Sequence, residues 1–185
     1  MVTFQKRYQE NTKLQSICKF IADVMIVILL AYTLITFTCF RTTVIGSSMN
    51  SAIESNDTVL INKFSYNIGG PGRMDVIAFQ LDAIKDSKIY VKRVVGLPGE
   101  TIQIKDGKVY INGSELADDV STDNILTAGI ASNELTLGED EYFVLGDNRN
   151  NSEDSRFATV GVINQDEIIG RAWMIMSPIS HMKLL

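Results

Sequence analysis

From Phe20 to Phe40 the chain reads FIADVMIVILLAYTLITFTCF, 21 residues with a single charge at Asp23. A helix rises about 1.5 Å per residue, so such a run crosses the roughly 30 Å hydrocarbon core of a bilayer. Residues 20–40 are therefore read as a transmembrane signal anchor. Asp23 lies one turn inside its N-terminal end, where a carboxylate reaches the interface and favours the positive end of the helix dipole. Lys6, Arg7, Lys13 and Lys19 precede the run, and only Arg41 falls in the ten residues after it. The excess of cations ahead of the run places residues 1–19 in the cytoplasm and residues 41–185 on the outer side of the cell membrane. A cleaved leader is the rival reading, but the run is too long for one and no small-x-small site comes after it. The chain is expected to stay a single-pass membrane protein.

Residues 41–185 are enough for one domain with its own core, and no repeat or low-complexity linker divides them. The chain carries 17 Lys+Arg against 22 Asp+Glu, a formal net charge of −5, which argues against a nucleic-acid partner. One His and two Cys, outside any Cys-x-x-Cys spacing, offer no donor set for a metal, and no cofactor is expected. Cys18 and Cys39 sit at opposite ends of the apolar run; about 30 Å apart along a helix, they cannot pair.

Beyond the anchor, short runs rich in Val, Ile, Tyr and Phe recur between turn signals: TTVIG, DTVLINKF, MDVIAFQL, KIYVKRVVGL, TIQIKDGKVYING, EYFVLGD and IIGRAWMIMS. This spacing predicts a mainly β domain, a sandwich or barrel. Asp106-Gly107, between alternating TIQIK and KVYIN, marks a hairpin. Residues 114–141 hold Glu115, Asp118, Asp119, Asp123, Glu134, Glu139, Asp140 and Glu141 with no Lys or Arg. They read as a solvated acidic loop or flap, or as a surface that selects partners.

Three polar segments stand out. Gly46-Ser47-Ser48-Met49 comes after a strand-like run, and a Ser there is either a turn residue or, with a base in reach, a nucleophile. His181, the one His, lies in the terminal SHMKLL with no partner suggested by its context, so a Ser-His-Asp triad is not expected. In Tyr90-Val91-Lys92-Arg93-Val94-Val95, strand alternation puts Lys92 and Arg93 on opposite faces. A Lys among apolar neighbours loses hydration of its charged form and becomes a base near neutral pH, whereas Arg stays protonated. The plainer alternative is a Lys extending from an edge strand into water. Gly146-Asp147-Asn148-Arg149-Asn150-Asn151-Ser152-Glu153-Asp154-Ser155-Arg156 reads as a capped turn with salt bridges, or as a site scaffold in which Asp147 and Asp154 fix Arg149 or Arg156 while Ser152 offers a hydroxyl.

Together and in this order, the Ser-Met pair after the anchor, the strand YVKRVVGLPGE and the stretch GDNRNNSEDSR resemble the bacterial type I signal peptidases, in their small Gram-positive form. Gly72-Arg73-Met74-Asp75-Val76-Ile77-Ala78-Phe79 looks like that family's remaining box, with its Gly-Asp pair split by two residues. The resemblance implies a β ectodomain of signal-peptidase type and a serine endopeptidase that removes signal peptides from exported precursors, in a secretion or surface-assembly setting. It implies Ser48 as nucleophile, Lys92 as general base and Ser152 as the hydroxyl that orients the amine, with Asp147, Asp154 and Arg156 as scaffold. Gly46 takes the place of a side-chain oxyanion donor, leaving the Ser48 N–H. The substrate would pair as a strand with the segment before Ser48 and with the box Asp75–Phe79; Val44, Met49, Tyr90 and Val91 would line the P1 pocket and Ile77 the P3 pocket. The chain departs from the family where Ser-Met-x-Pro-Thr is expected and Ser51-Ala52 stands. Loss of that Pro motivates the alternative, a non-cleaving relative that binds precursors or assists assembly of surface proteins such as pili.

Overall fold

The structure, a computed structural model, describes residues 12–67, 69–81, 88–117, 119–121 and 123–185. It divides into two units, Met1–Thr38 and Cys39–Leu185.

The first unit is one helix, α1 (Thr12–Thr38), long and apolar enough from Leu14 to Thr38 to cross a membrane. Its threonines satisfy their hydroxyls locally: Thr33 Oγ1 donates to the Leu29 carbonyl at 2.8 Å and Thr38 Oγ1 to the Leu34 carbonyl at 2.9 Å. Such back-bonding keeps polar groups compatible with an apolar surround. The helix starts ahead of Phe20 because TKLQSICK, though polar in part, contains nothing that breaks a helix. Cys39 and Phe40 leave it to open the first strand. Lys6, Arg7 and Asp118 lie outside the described residues.

The second unit is mainly β. One sheet contains β1 (Cys39–Thr43), β2 (Thr58–Asn62), β3 (Val76–Phe79), β4 (Tyr90–Gly96), β9 (Glu141–Leu145), β10 (Ile163–Asn164), β11 (Ile168–Ser177) and β12 (Lys183–Leu184). Its order is β1-β2-β11-β3-β4-β9-β10, with β12 on β11, and all its pairs are antiparallel. A second sheet joins β5 (Thr101–Lys105), β6 (Lys108–Ile111), β7 (Ser114–Glu115) and β8 (Leu135–Thr136) in the order β7-β6-β5-β8.

Both faces of the larger sheet are covered, which is why β3 is apolar at every position. Val76 and Ala78 pack with Val44, Met49, Ile53, Val91 and Ile175, whereas Ile77 and Phe79 pack with Val94, Tyr142, Val144 and Ile163 on the other side. The small sheet lays Ile102, Ile104, Val109 and Ile111 against Val95, Phe143 and Leu145. Asp106-Gly107 turns the β5–β6 hairpin with φ of 52° and 77°, the geometry the dipeptide predicts. Asn112-Gly113, at 50° and 78°, turns the chain again into β7.

Candidate active site

Ser48 lies on the loop between β1 and β2, and Lys92 on the inner face of β4. Lys92 Nζ is 2.6 Å from Ser48 Oγ. The Lys92 side chain is buried, and burial lowers its pKa from 10.5 to about 8 against the opposing charges of Asp154, Glu153 and Asp147. Desolvation wins because those carboxylates act at a distance, while the apolar neighbours act on the ammonium directly. An amine of that pKa in contact with a hydroxyl can take its proton.

The loop holds Ser48 through main chain. Gly46 sits at φ +106°, where a side chain would be strained, and its N–H donates to Ser55 Oγ at 3.1 Å. Asn148 N–H donates to the Ser48 carbonyl at 3.0 Å, Asn148 Nδ2 to the Ser47 carbonyl at 3.1 Å, and Asn151 Nδ2 to Ser47 Oγ at 2.7 Å. Among the described residues nothing accepts the Ser48 N–H, so it is free for a developing oxyanion. Met49 is fully buried and anchors the loop in the core.

The polar stretch after β9 forms the scaffold. Asp154 and Arg156, both buried, make a bidentate pair, Nε to Oδ1 at 2.8 Å and Nη2 to Oδ2 at 2.9 Å, and Asp154 Oδ2 also accepts the Gly146 N–H at 3.0 Å. A Cβ on Gly146 would collide with Ser152 Oγ and the Ser48 carbonyl oxygen, so only Gly lets β9 end this close to Ser48. Among the described residues, Ser152 Oγ is buried there with no hydrogen-bond partner, and its expected bond to Lys92 is not formed.

Two expected partnerships are exchanged. Asp147 holds Arg93, Nε to Oδ1 at 2.8 Å and Nη2 to Oδ2 at 2.6 Å, instead of Arg149 or Arg156. Arg149 instead pairs with Asp119, inside the acidic segment. Residues 119–121 and 123–131 are thus partly docked on the scaffold: Asn150 Oδ1 accepts the Leu126 N–H at 2.9 Å, Asn150 Nδ2 donates to the Asn124 carbonyl at 2.9 Å, and the Arg156 carbonyl accepts the Ile130 N–H at 2.9 Å. Separation along the chain hid these pairs from the sequence.

A groove of about 350 Å³ opens beside Ser48 and Lys92, lined on one side by Thr42–Ser48 and on the other by Lys88–Lys92, with Asn151 and Glu153. Val44, Tyr90 and Val91 are among its lining residues. Met49 and Ile77 do not: both are fully buried in core clusters. Nor can Asp75–Phe79 receive a strand, because β3 is already paired on both edges, to β11 and to β4. Among the described residues, β4 has an open edge beside the groove. There β9 covers only Arg93–Gly96, leaving the edge of Lys88–Lys92 that faces away from β3 open towards Thr42–Ser48. Asp75 is instead structural, taking Gly72 N–H and Tyr66 Oη at 3.0 and 3.1 Å and pairing with Arg171 at 3.0 Å.

The family described as signal peptidase, peptidase S26, matches residues 17–177. A probable signal peptidase I-2 of Synechocystis is 33% identical over 85% of this chain and 72% of its own length. Signal peptidase I P of Bacillus subtilis subsp. natto is 30% identical over 95% and 97%, and signal peptidase I T of Bacillus subtilis 35% identical over 86% and 85%. A crystal structure of a signal peptidase I from Enterococcus faecalis V583 is 34% identical, covering 57% of this chain and 98% of that one with a TM-score of 0.46. With the family match running through α1, the Ser48 loop, the Lys92 strand and the polar stretch after β9 alike, the chain belongs to the signal peptidase family, peptidase S26.

Proposed function

We propose that the protein is a membrane-anchored endopeptidase that removes signal peptides from exported precursors with Ser48 as nucleophile and Lys92 as general base. The 2.6 Å contact between Lys92 Nζ and Ser48 Oγ, with the Lys buried, is the observation that carries this reading. Neutral Lys92 takes the Ser48 proton as Oγ attacks the scissile carbonyl. The Ser48 N–H stabilises the oxyanion, and the ammonium returns its proton to the leaving amine. Water then cleaves the acyl-enzyme with Lys92 again as base. Ser152 Oγ, buried and unpartnered, is the hydroxyl available to steady the amine between these steps.

The open edges of β1 and β4 favour a substrate bound as an extended strand between them, with Val44, Tyr90 and Val91 forming a shallow apolar subsite suited to a small side chain. The helix α1 supports anchoring in the cell membrane, and the cations ahead of residue 20 favour an N-terminus in the cytoplasm with the catalytic unit outside. Nothing among the described residues favours the non-cleaving alternative.

Purified full-length protein in detergent should cleave a precursor after a small-x-small site, and Ser48→Ala and Lys92→Ala should each abolish cleavage while leaving the protein folded. Undiminished cleavage by either variant would sink the dyad.

A further inference from the structure

Ser48 rides on a loop, residues 44–57, that leaves the sheet after β1 and returns at β2. Main-chain bonds tie its ends: Val44 N–H to the Asp57 carbonyl at 2.9 Å and Asn56 N–H to the Val44 carbonyl at 2.8 Å. Inside it, Ile53 N–H reaches the Met49 carbonyl at 2.8 Å. Asp57 also closes the loop with its side chain, Oδ2 accepting the Glu54 N–H at 2.8 Å.

That carboxylate is 1% exposed. A buried carboxylate needs a partner, and here the partner comes from the far end of the chain. His181 Nδ1 lies 2.8 Å from Asp57 Oδ1, and its Nε2 is 3.7 Å from Glu54 Oε2. Two residues on, Lys183 Nζ donates to the Ser51 carbonyl at 3.4 Å. The terminal segment is itself fixed, because Lys183–Leu184 pair with β11 and the Leu185 N–H donates to the Trp173 carbonyl at 2.9 Å. The segment from His181 to Lys183 therefore reaches over to the loop that carries Ser48 and grips it at residues 51, 54 and 57. No ring fixes φ at residue 51, where Ser stands, so restraint has to come from contacts.

We propose that His181, through Asp57, is a positioning residue for Ser48: the terminal segment sets the geometry of the nucleophile loop. The inference rests on the assignment of Ser48 as nucleophile. The charged groups facing the imidazole are Asp57, Glu54 and Lys183. The hydrogen bond to Asp57 is the main influence holding its pKa above the ordinary 6.5, with the two carboxylate charges adding to it and Lys183 opposing. The Nδ1–H bond to Asp57 is available in the neutral ring as well as in the cation.

The test uses full-length protein in detergent with a precursor carrying a small-x-small site. His181→Ala should lower kcat by about tenfold with KM within about twofold, since displacement of a nucleophile by a fraction of an ångström acts on the chemical step. His181→Asn places an amide N–H near the position of Nδ1 and should restore kcat to within about threefold of the parent. An unchanged kcat in His181→Ala, an equal loss in His181→Asn, or a loss matching the unfolded fraction seen by near-UV circular dichroism would each overturn the proposal. Ser48→Ala keeps the two inferences apart: residual cleavage there overturns the nucleophile assignment, whereas a dead Ser48→Ala beside an undiminished His181→Ala overturns only the positioning role.

Discussion

Lys92 and Arg93 are consecutive on β4 and serve opposite faces of the sheet, Lys92 reaching Ser48 Oγ at 2.6 Å while Arg93 grips Asp147 at 2.8 and 2.6 Å. The two-residue period of a strand makes this division, and a slip of one residue would set a guanidinium against Ser48. Register is held by the pairs Ile77↔Lys92 and Val76↔Arg93 and by the carboxylate that clamps Arg93.

On the proposed mechanism catalysis needs the neutral amine, so activity should track deprotonation of Lys92. With burial lowering that pKa to about 8, kcat should climb about tenfold per pH unit well below that value and level off above it. Rapid-quench measurement of acyl-enzyme formation across pH 6–10 reads this limb. A rate already flat at pH 6 would exclude Lys92 as the base.

The same burial costs stability. Lys92 binds fewer protons folded than unfolded between about pH 8 and its ordinary 10.5, so stability rises with pH across that window and the full cost is present below it. Lys92→Met should therefore be inactive yet stabilised at pH 7, by roughly 1–3 kcal/mol in urea unfolding. A destabilised Lys92→Met would mean that the amine contributes more through its contacts than burial takes away.

Glu153 lies in the groove wall, held by Thr159 Oγ1 at 2.8 Å, and its charge raises the Lys92 pKa. Removing that charge in Glu153→Gln should let the pKa fall further and move the rise in kcat to lower pH. A profile that stays put, or moves to higher pH, contradicts this charge coupling.

Arg156 neutralises a fully buried Asp154 that also carries the Gly146 N–H. Arg156→Met should leave a buried charge without its counterion and cost about 3–5 kcal/mol in equilibrium unfolding. A loss near zero would show that water replaces the guanidinium.

The strand pattern made β2, β3, β4, β5, β6, β9 and β11 legible in sequence, because each is a run of apolar and β-branched residues bounded by turns. The two-residue strands β7, β8, β10 and β12 are too short to carry a period, although Asn112-Gly113 signals the turn into β7. At the site, residue types alone left Ser48 and Lys92 each with a structural alternative, and only resemblance joined them; the fold brings them into contact across 44 residues. The pairs that stayed hidden depend on neighbours distant in sequence: Arg93 with Asp147, Arg149 with Asp119, and His181 with Asp57. The burial of Ile77 is not legible for a related reason: in a sheet covered on both faces, alternation does not say which apolar side faces the groove.

The unpaired edge of Lys88–Lys92 opposite Thr42–Ser48 also bears on what can be cut at all. A main-chain edge bonds only to a partner whose own N–H and C=O groups are unspent, and a helix has already used both internally. On the proposed binding mode the groove sorts chains by conformation before it meets any side chain, accepting unfolded segments of varied sequence and refusing folded ones that contain the same residues.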